Sequence, residues 1–346
     1  MKKVCGAALA IKLLSVFLIC ALSIALSACG ETTTPEDGTE GDGGDGGGLT
    51  EVTLILDYLP NTNHTGFYVA RSKGYYEEAG LDVDIIEPAD NAVTALIATG
   101  RGDYGVSYQE DVTYALTADE PLPIKAIATV IQHNTSGFAA YKDKNITRPK
   151  DFEGKVYAGW GAPSEEAVIK AVMEADGGDF SKLTIVTSDG SGYAALKDKV
   201  DLNWIFWAWD GIAAERDGVP LNYLELSQFD ERLDYYTPVI IASNEKLAND
   251  PDTTRAFLAA TKRGYEYAIE NPEESAEILS EHVEGYDTEM LTESQKYLNG
   301  KYIDDAERWG EMKDEVWDRY SAFMREYGLI TADIPASECY TNEFLE

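Results

Sequence analysis

The first polar side chains that could bind a ligand follow the apolar segment Val52–Leu56. Asp57, Asn61 and His64 offer a carboxylate, an amide and an imidazole, which between them donate and accept hydrogen bonds. A plain helix N-cap would explain part of this polar run. Ligands of open α/β sheets bind beyond the carboxyl ends of strands, however. We therefore predict that these three side chains contact a ligand.

Two further groups stand directly after predicted strands. Tyr108 and Gln109 follow one strand, and Trp160, Glu165 and Glu166 follow another. The two glutamates also lie in a first helical turn, where acidic side chains favour the helix dipole without any ligand. All five residues are candidate ligand contacts, with Trp160 supplying an aromatic face and Glu165 a polar edge. The sequence leaves open which of the two glutamates is in contact.

Residues 203–210 bring three tryptophans into six positions: Trp204, Trp207 and Trp209. Large aromatic side chains usually fill cores, but a buried indole N–H needs a hydrogen-bond partner. A tryptophan at the end of a strand can instead stack on a flat ligand. We predict that Trp207 and Trp209 do so.

The sequence patterns of common catalytic and metal sites do not occur. There is no P-loop, G-x-S-x-G or H-E-x-x-H pattern, and the glycine pattern at 100–105 leads into a predicted strand, the reverse of a dinucleotide site. The three histidines, His64, His133 and His282, are far apart in the chain. We predict no catalytic residue, no bound metal and no cofactor.

The composition describes a packed but strongly acidic protein. Hydrophobic residues make up 44% of the chain, and 28 basic against 62 acidic residues give a net charge of −34. So negative a surface repels nucleic acids and anionic lipid headgroups, which excludes both as ligands.

The N-terminus has the pattern of an export signal. Two lysines precede a short apolar run, too short for a span of roughly 20 apolar residues. Its end, Leu26–Cys29, resembles a lipoprotein cleavage site, so we predict a signal peptide over 1–28, a lipid on Cys29 and a flexible Gly-rich tether over 29–49. The mature protein would be extracytoplasmic and held to the membrane by this lipid. Cys339 then remains as a single thiol, so we expect no disulfide framework. We expect a monomer, but the sequence does not decide the oligomeric state.

The remaining chain alternates strands and helices, which predicts the α/β class. The predicted strands are Val52–Leu56, Leu81–Ile86, Tyr104–Ser107, Pro123–Ile131, Lys155–Gly159, Leu183–Thr187, Asn203–Trp207, Leu221–Leu226 and Thr237–Ala242. The alternation restarts near residue 147, so we predict two lobes with a ligand cleft between them. Residues 50–145 with 237–346 would form the first lobe, and 146–236 the second.

Helices are predicted over Pro163–Ala175 and through most of the chain after Asn244. In the last of them, an apolar stripe runs from Trp309 to Tyr327 and ends at Gly328, a residue typical of helix C-termini.

The segment Leu56–Ala70 resembles the opening signature of ABC-importer lipoproteins that bind pyrimidine precursors for thiamine salvage. Lys73–Leu81 is similar to a segment shared across their superfamily, which also contains fungal thiamine pyrimidine synthases and sulfonate-binding proteins. The resemblance extends over Val52–Ile330. It implies the two-lobed, type II periplasmic-binding-protein fold, an aminopyrimidine held between the lobes, and an ABC permease as partner.

Two alternatives remain beside this reading. One is a synthase-like enzyme that uses histidine, pyridoxal phosphate and iron, although the iron-binding cysteine motif of the synthases is missing between Cys29 and Cys339. The other is a binder of a different flat heterocycle, such as riboflavin. The sequence does not distinguish formylaminopyrimidine from hydroxymethylpyrimidine as the ligand.

Overall fold

The structure is a computed structural model that describes residues 48–88, 92–188, 190–196 and 199–346. The predicted signal peptide, Cys29 and nearly all of the tether lie outside these residues. In the described part of the chain, no helix is both long enough and apolar enough to cross a membrane.

Five strands form the first sheet, in the order β2-β1-β3-β10-β4. Their bounds are β1 Thr50–Ile55, β2 Leu81–Ile86, β3 Tyr104–Ser107, β4 Ile124–Thr129 and β10 Val239–Ser243. β1 pairs in parallel with β2 and β3, whereas β10 runs antiparallel between β3 and β4. The predicted return of the chain to this sheet near residue 237 is thus confirmed. We call this sheet and its helices the first lobe.

The second sheet has the order β7-β6-β8-β5-β9 and is the centre of the second lobe. Its strands are β5 Ser136–Tyr141, β6 Val156–Gly159, β7 Thr184–Thr187, β8 Leu202–Phe206 and β9 Leu221–Glu225. β5 corrects the predicted lobe boundary at residue 146. Because β5 pairs antiparallel with β8 and β9, the chain has already entered the second lobe at Ser136.

Helices cover both sheets. They are α1 Thr65–Ser72, α2 Tyr75–Glu78, α3 Val93–Ala98, α4 Gln109–Thr117, α5 Pro163–Ala175, α6 Ile212–Arg216, α7 Asn244–Asn249, α8 Pro251–Glu270, α9 Pro272–Ser280, α10 Thr288–Asn299, α11 Asp314–Glu326 and α12 Ala336–Cys339. The predicted last helix is shorter than its apolar stripe, because Trp309 and Met312 are buried in the loop that precedes α11.

Two glycines allow α1 and α8 to pack with their backbones nearly touching. A Cβ on Gly264 would lie 2.0 Å from the carbonyl oxygen of Gly66, and a Cβ on Gly66 would lie 2.3 Å from the ring of Tyr265. This close packing fixes α1, and with it the loop between β1 and α1, against the long helix α8.

The chain crosses between the lobes at residues 130–135 and again at residues 226–238. Asp234 joins the two crossings: its Oδ2 lies 2.7 Å from Nδ1 of His133, and its Oδ1 accepts the backbone N–H of Asn134 at 2.9 Å. Asn134 is fully buried and also donates to the carbonyl of Leu233 at 2.9 Å. The crossings therefore form one hydrogen-bonded junction.

Helix α11 packs against both lobes. Trp317 belongs to the apolar cluster under the first sheet, together with Ile55 and Ile241. One turn later, Tyr320 and Phe323 belong to the cluster of the second lobe. α11 thus provides a third connection between the lobes.

Candidate ligand-binding site

A carboxylate beyond the end of β1 is the centre of the candidate site. Asp57 follows β1 and Tyr108 follows the neighbouring parallel strand β3, so both stand at the same edge of the sheet. The hydroxyl of Tyr108 donates to Oδ2 of Asp57 at 2.7 Å, and Nε2 of His64 lies 2.6 Å from Oδ1. The structure brings these three predicted residues together.

His64 supports Asp57 from within the protein. Its side chain has no exposed surface, and its Nδ1 accepts the backbone N–H of Asn61 at 3.2 Å. The ring proton is therefore on Nε2, which donates it to Asp57. Asn61 caps the short 3-10 turn Thr62–His64 by accepting the N–H of Asn63 at 2.9 Å. No part of the His64 ring reaches the surface in this arrangement, so its predicted contact with a ligand stays a prediction.

Asp57 is an ionised carboxylate in a buried position. Burial acts to raise its pKa, but the interaction with His64 and the hydrogen bond from Tyr108 outweigh burial and hold the pKa below its ordinary value. The Asp57 side chain keeps 8% of its surface exposed. Two of its lone pairs are used by His64 and Tyr108, so the carboxylate can accept further hydrogen bonds from a ligand.

Gln109 lies in the core, contrary to its predicted role. It is fully buried, its Oε1 accepts the backbone N–H of Tyr236 at 2.8 Å, and its Nε2 donates to the carbonyl of Val316 at 3.2 Å. Gln109 thus fastens the start of α4 to the second crossing and to α11. It has no surface for a ligand.

Glu165 turns back onto its own loop. Its carboxylate accepts four hydrogen bonds, from the hydroxyl of Tyr157 at 2.5 Å and from the backbone amides of Trp160 at 3.2 Å, Gly161 at 2.5 Å and Ala162 at 2.9 Å. The residue is buried, and its carboxylate lies where a Cβ on Gly159 would be. The loop that precedes α5 thus already satisfies both oxygens of the predicted polar anchor, and the contact of Glu165 with a ligand stays a prediction.

Glu166 faces away from Glu165, on the exposed side of α5. It borders a surface cavity of about 580 Å³ together with Phe180 and Tyr327. A second surface cavity, of about 370 Å³, adjoins Trp207. Neither cavity is lined by Asp57 or Tyr108, so neither forms part of the candidate site.

The predicted aromatic residues divide into exposed and packed side chains. Trp160 is 57% exposed and meets Trp204 edge to face, with the two ring centres 5.3 Å apart. Trp209 meets Tyr286 edge to face at 4.5 Å, and both remain accessible. Trp207 instead packs on Tyr223 at 4.7 Å. Trp160 and Trp209 can therefore offer a face to a ligand, whereas Trp207 serves the second lobe.

Three acidic residues at this face were not predicted. Asp111, in the first turn of α4, has its pKa raised to about 6 by burial and by the charges of Glu110 and Asp57. Asp210, beside Trp209, also has its pKa raised to about 6, by burial. Glu110 bonds to the second lobe. The sequence could have indicated Glu110 and Asp111, because both continue the strand-to-helix turn that contains Tyr108.

The arrangement is suited to recognition. Ionised and partly buried carboxylates accept hydrogen bonds from amino and ring N–H groups, and the exposed indole and phenol rings can stack on a planar molecule. In the described residues, no group of three or more His, Cys, Asp or Glu side chains is placed to hold a metal ion.

The overall fold is shared with solved solute-binding proteins. The chain aligns with the periplasmic aliphatic sulphonate binding protein SsuA from Escherichia coli with a TM-score of 0.67 and 14% identity, over 84% of this chain and 92% of SsuA. Together with the two sheets, this confirms the predicted α/β, two-lobed periplasmic-binding-protein fold.

Three relatives of known name are more similar in sequence. The formylaminopyrimidine-binding protein of Halalkalibacterium halodurans is 28% identical over 76% of this chain and 84% of its own length. The riboflavin-binding protein RibY of Chloroflexus aurantiacus is 25% identical over 86% of both chains. A 4-amino-5-hydroxymethyl-2-methylpyrimidine phosphate synthase of Legionella pneumophila is 24% identical over 86% of this chain and 92% of its own.

The sequence profile of the NMT1/THI5-like family matches residues 61–275. This match begins at Asn61, within the loop that holds Asp57 in place, and continues through both sheets into α9. With more than half of its length matched, the chain belongs to the NMT1/THI5-like family.

Proposed function

We propose that this protein is the extracytoplasmic solute-binding component of an ABC importer and that it binds a thiamine pyrimidine precursor, formylaminopyrimidine or hydroxymethylpyrimidine. The observation that carries the proposal is the carboxylate of Asp57, held by His64 and Tyr108 at the carboxyl edge of the first sheet. The formylaminopyrimidine-binding relative supports this class of ligand.

The chemistry of the ligand matches that of the site. An aminopyrimidine presents an exocyclic amine beside a ring nitrogen, and a carboxylate accepts from such an amine through a charge-assisted hydrogen bond. Asp57 is ionised and has exposed surface, whereas Glu165 has neither free oxygens nor exposure. We therefore assign the polar contact to Asp57, with Tyr108 as its neighbour.

The flat ring of the ligand requires aromatic partners from both lobes. Trp160 comes from the second lobe, and Tyr58, which is 62% exposed, follows Asp57 in the first. Trp209 follows β8 of the second sheet but packs against the apolar cluster of the first lobe. Hinged proteins of two lobes close on a ligand between them, and the closed form is the one that a permease would recognise. Binding without chemical change is thus the proposed role.

Two alternatives are each supported by a named relative. The riboflavin-binding relative favours a larger flat cargo, and the synthase relative favours an enzyme. The enzyme alternative is tested by incubating the purified protein with histidine, pyridoxal phosphate and iron, and searching for a pyrimidine phosphate by mass spectrometry. Formation of that product would replace the transport proposal.

Calorimetric titration tests the ligand directly. Formylaminopyrimidine, hydroxymethylpyrimidine, thiamine and riboflavin should be compared, and we expect one of the two pyrimidines to bind most tightly. Loss of a hydrogen bond to a charged group costs about 1.5–3 kcal/mol, so Asp57→Asn should weaken that binding about tenfold or more. Glu166→Gln, on the exposed side of α5, is the matched control and should bind like the parent. Unchanged binding by Asp57→Asn would contradict the proposed site.

The anchoring of the protein is tested separately. We propose that Cys29 carries a lipid that holds the chain at the outer face of the cytoplasmic membrane. Metabolic labelling with a fatty acid should mark the parent chain and not the Cys29→Ala variant. Equal labelling of both would remove this assignment.

A further inference from the structure

A second, half-buried carboxylate joins the two lobes. Glu110 lies in the first turn of α4, in the first lobe, and its Oε1 accepts the hydroxyl of Ser164 at 2.7 Å. Ser164 lies in the first turn of α5, in the second lobe, and is buried. The Oε2 of Glu110 accepts the hydroxyl of Tyr320 at 3.0 Å, and Tyr320 belongs to α11, the helix that packs on both lobes. One carboxyl group therefore touches each part that must move when the lobes separate.

The groups around Glu110 are negatively charged or neutral. The ionisable groups that face it are Asp111 and Tyr114 on its own helix, Glu165 on α5, Tyr320 on α11 and Tyr235 on the second crossing, with Asp57 next to Asp111. In the described part of the chain, Glu110 has no ion pair with a lysine or arginine. Burial raises its pKa, the hydrogen bonds from Ser164 and Tyr320 oppose the rise, and the charge of Glu165 adds to it.

We propose that Glu110 is a positioning residue that couples the approach of the two lobes to the uptake of a proton. In the arrangement seen here, the carboxyl group is enclosed between α4, α5 and α11. When the lobes separate, Ser164 moves away and Glu110 returns to water. The inference rests on the proposed function, because the exposure of Glu110 changes only in a binding protein whose lobes open and close.

The direction of the effect follows from linkage. The enclosed carboxyl has a pKa above its ordinary value, and the open one has its ordinary value. Protonation of Glu110 therefore favours the closed arrangement. This stabilisation is complete at pH values below the open-state pKa, and it is lost as the pH rises through the closed-state pKa. Each unit of difference between the two pKa values changes the ratio of closed to open about tenfold.

The hydrogen bonds do not depend on the charge of Glu110. The hydroxyls of Ser164 and Tyr320 can donate to a carboxylate, and either can accept from a carboxylic acid after rotation. A glutamine at this position can likewise pair with both hydroxyls while remaining neutral. Glu110→Gln is therefore a mimic of the protonated state.

Spin-label distance measurement without ligand tests the coupling. Labels attach to the variants Asp82→Cys on β2 and Thr184→Cys on β7, both exposed edge-strand positions, in a chain whose native cysteines are replaced by serine. From pH 7.5 to pH 4, the ratio of short to long distances in the parent should rise towards about tenfold per unit of pKa difference. In Glu110→Gln the ratio should already be high at pH 7.5 and should change much less with pH.

Two controls separate Glu110 from its neighbours. Asp111→Asn should keep a pH response, whereas Ser164→Ala should lower the closed fraction at every pH and keep the response. An equal pH response in the parent and in Glu110→Gln, or no response in the parent, overturns the proposal. Because no ligand is present, these results do not depend on which molecule the calorimetric titration identifies, and failure of that titration would leave them unchanged.

Discussion

His64 has no exposed surface, yet it lies 2.6 Å from Asp57, which has 8% of its side chain exposed. The histidine therefore stands behind the carboxylate and only the carboxylate reaches the solvent. In the polar run after β1, His64 thus holds Asp57 in place, and the backbone N–H of Asn61 holds His64.

Replacing His64 by phenylalanine should destabilise the protein. Asp57 would lose its donor while remaining buried, and the N–H of Asn61 would lose its acceptor. We expect the free energy of unfolding, measured by urea denaturation, to fall by about 1.5–3 kcal/mol. His282→Phe, which can keep the ring stacking on Tyr68, is the control and should change stability less. Equal losses in both variants would show that the His64–Asp57 bond contributes nothing of its own.

The fall in the free energy of unfolding at acidic pH should depend on Asp57. Its pKa in the folded protein is below the ordinary value of 3.8, so its contribution is present above that pH and is lost as the pH falls through the folded-state pKa. Asp57→Asn lacks this titration. We expect the parent to lose stability more steeply than the variant below about pH 4, measured by urea denaturation across the acidic range. Parallel curves would contradict the lowered pKa.

Replacing Glu165 by glutamine should lower the stability of the folded protein. An amide in place of the carboxylate brings N–H donors against the amides of Gly161 and Ala162, which now donate to the carboxylate. Thermal and urea unfolding should show a loss of about 1–3 kcal/mol. Glu166→Gln changes an exposed neighbour and should lie within about 0.5 kcal/mol of the parent. If the two variants were equally stable, the loop before α5 would not depend on Glu165.

Gly264→Ala should be among the more damaging single-methyl additions. The new methyl group would meet the carbonyl of Gly66 at 2.0 Å, so α1 and α8 must separate. Overpacking of this kind costs about 1–3 kcal/mol. Gly300→Ala, where no atom lies within 4 Å of the new Cβ, should be close to neutral. A stable Gly264→Ala protein with unchanged ligand affinity would show that the α1–α8 contact can relax freely.

Much of the fold could be predicted from local patterns. The bounds of β2, β3 and α5 agree with the predicted segments, because each is a run of uniform periodicity between clear turn signals. β5, Ser136–Tyr141, was missed, because Gly137 and two alanines give it no alternation of apolar and polar residues. Its place in the sheet is decided by pairing with β8 and β9, which are distant in sequence.

The candidate site was predictable in position but not in detail. Asp57 and Tyr108 were selected because each directly follows a strand, and in the structure the two side chains are neighbours. The same rule selected Gln109 and Glu165, whose side chains turn inwards to bind backbone groups. Whether a polar side chain faces the ligand or its own loop depends on the direction of the Cα–Cβ bond, and residue type and spacing do not contain that information.

The position of α11 has a consequence for how the chain reaches its folded state. Trp317 completes the apolar cluster of the first lobe, and Tyr320, Phe323 and Met324 complete that of the second. During synthesis both lobes therefore lack part of their interior until the last few dozen residues have left the ribosome. Until then, apolar surface stays uncovered in both lobes, so the interiors of the two lobes are completed together.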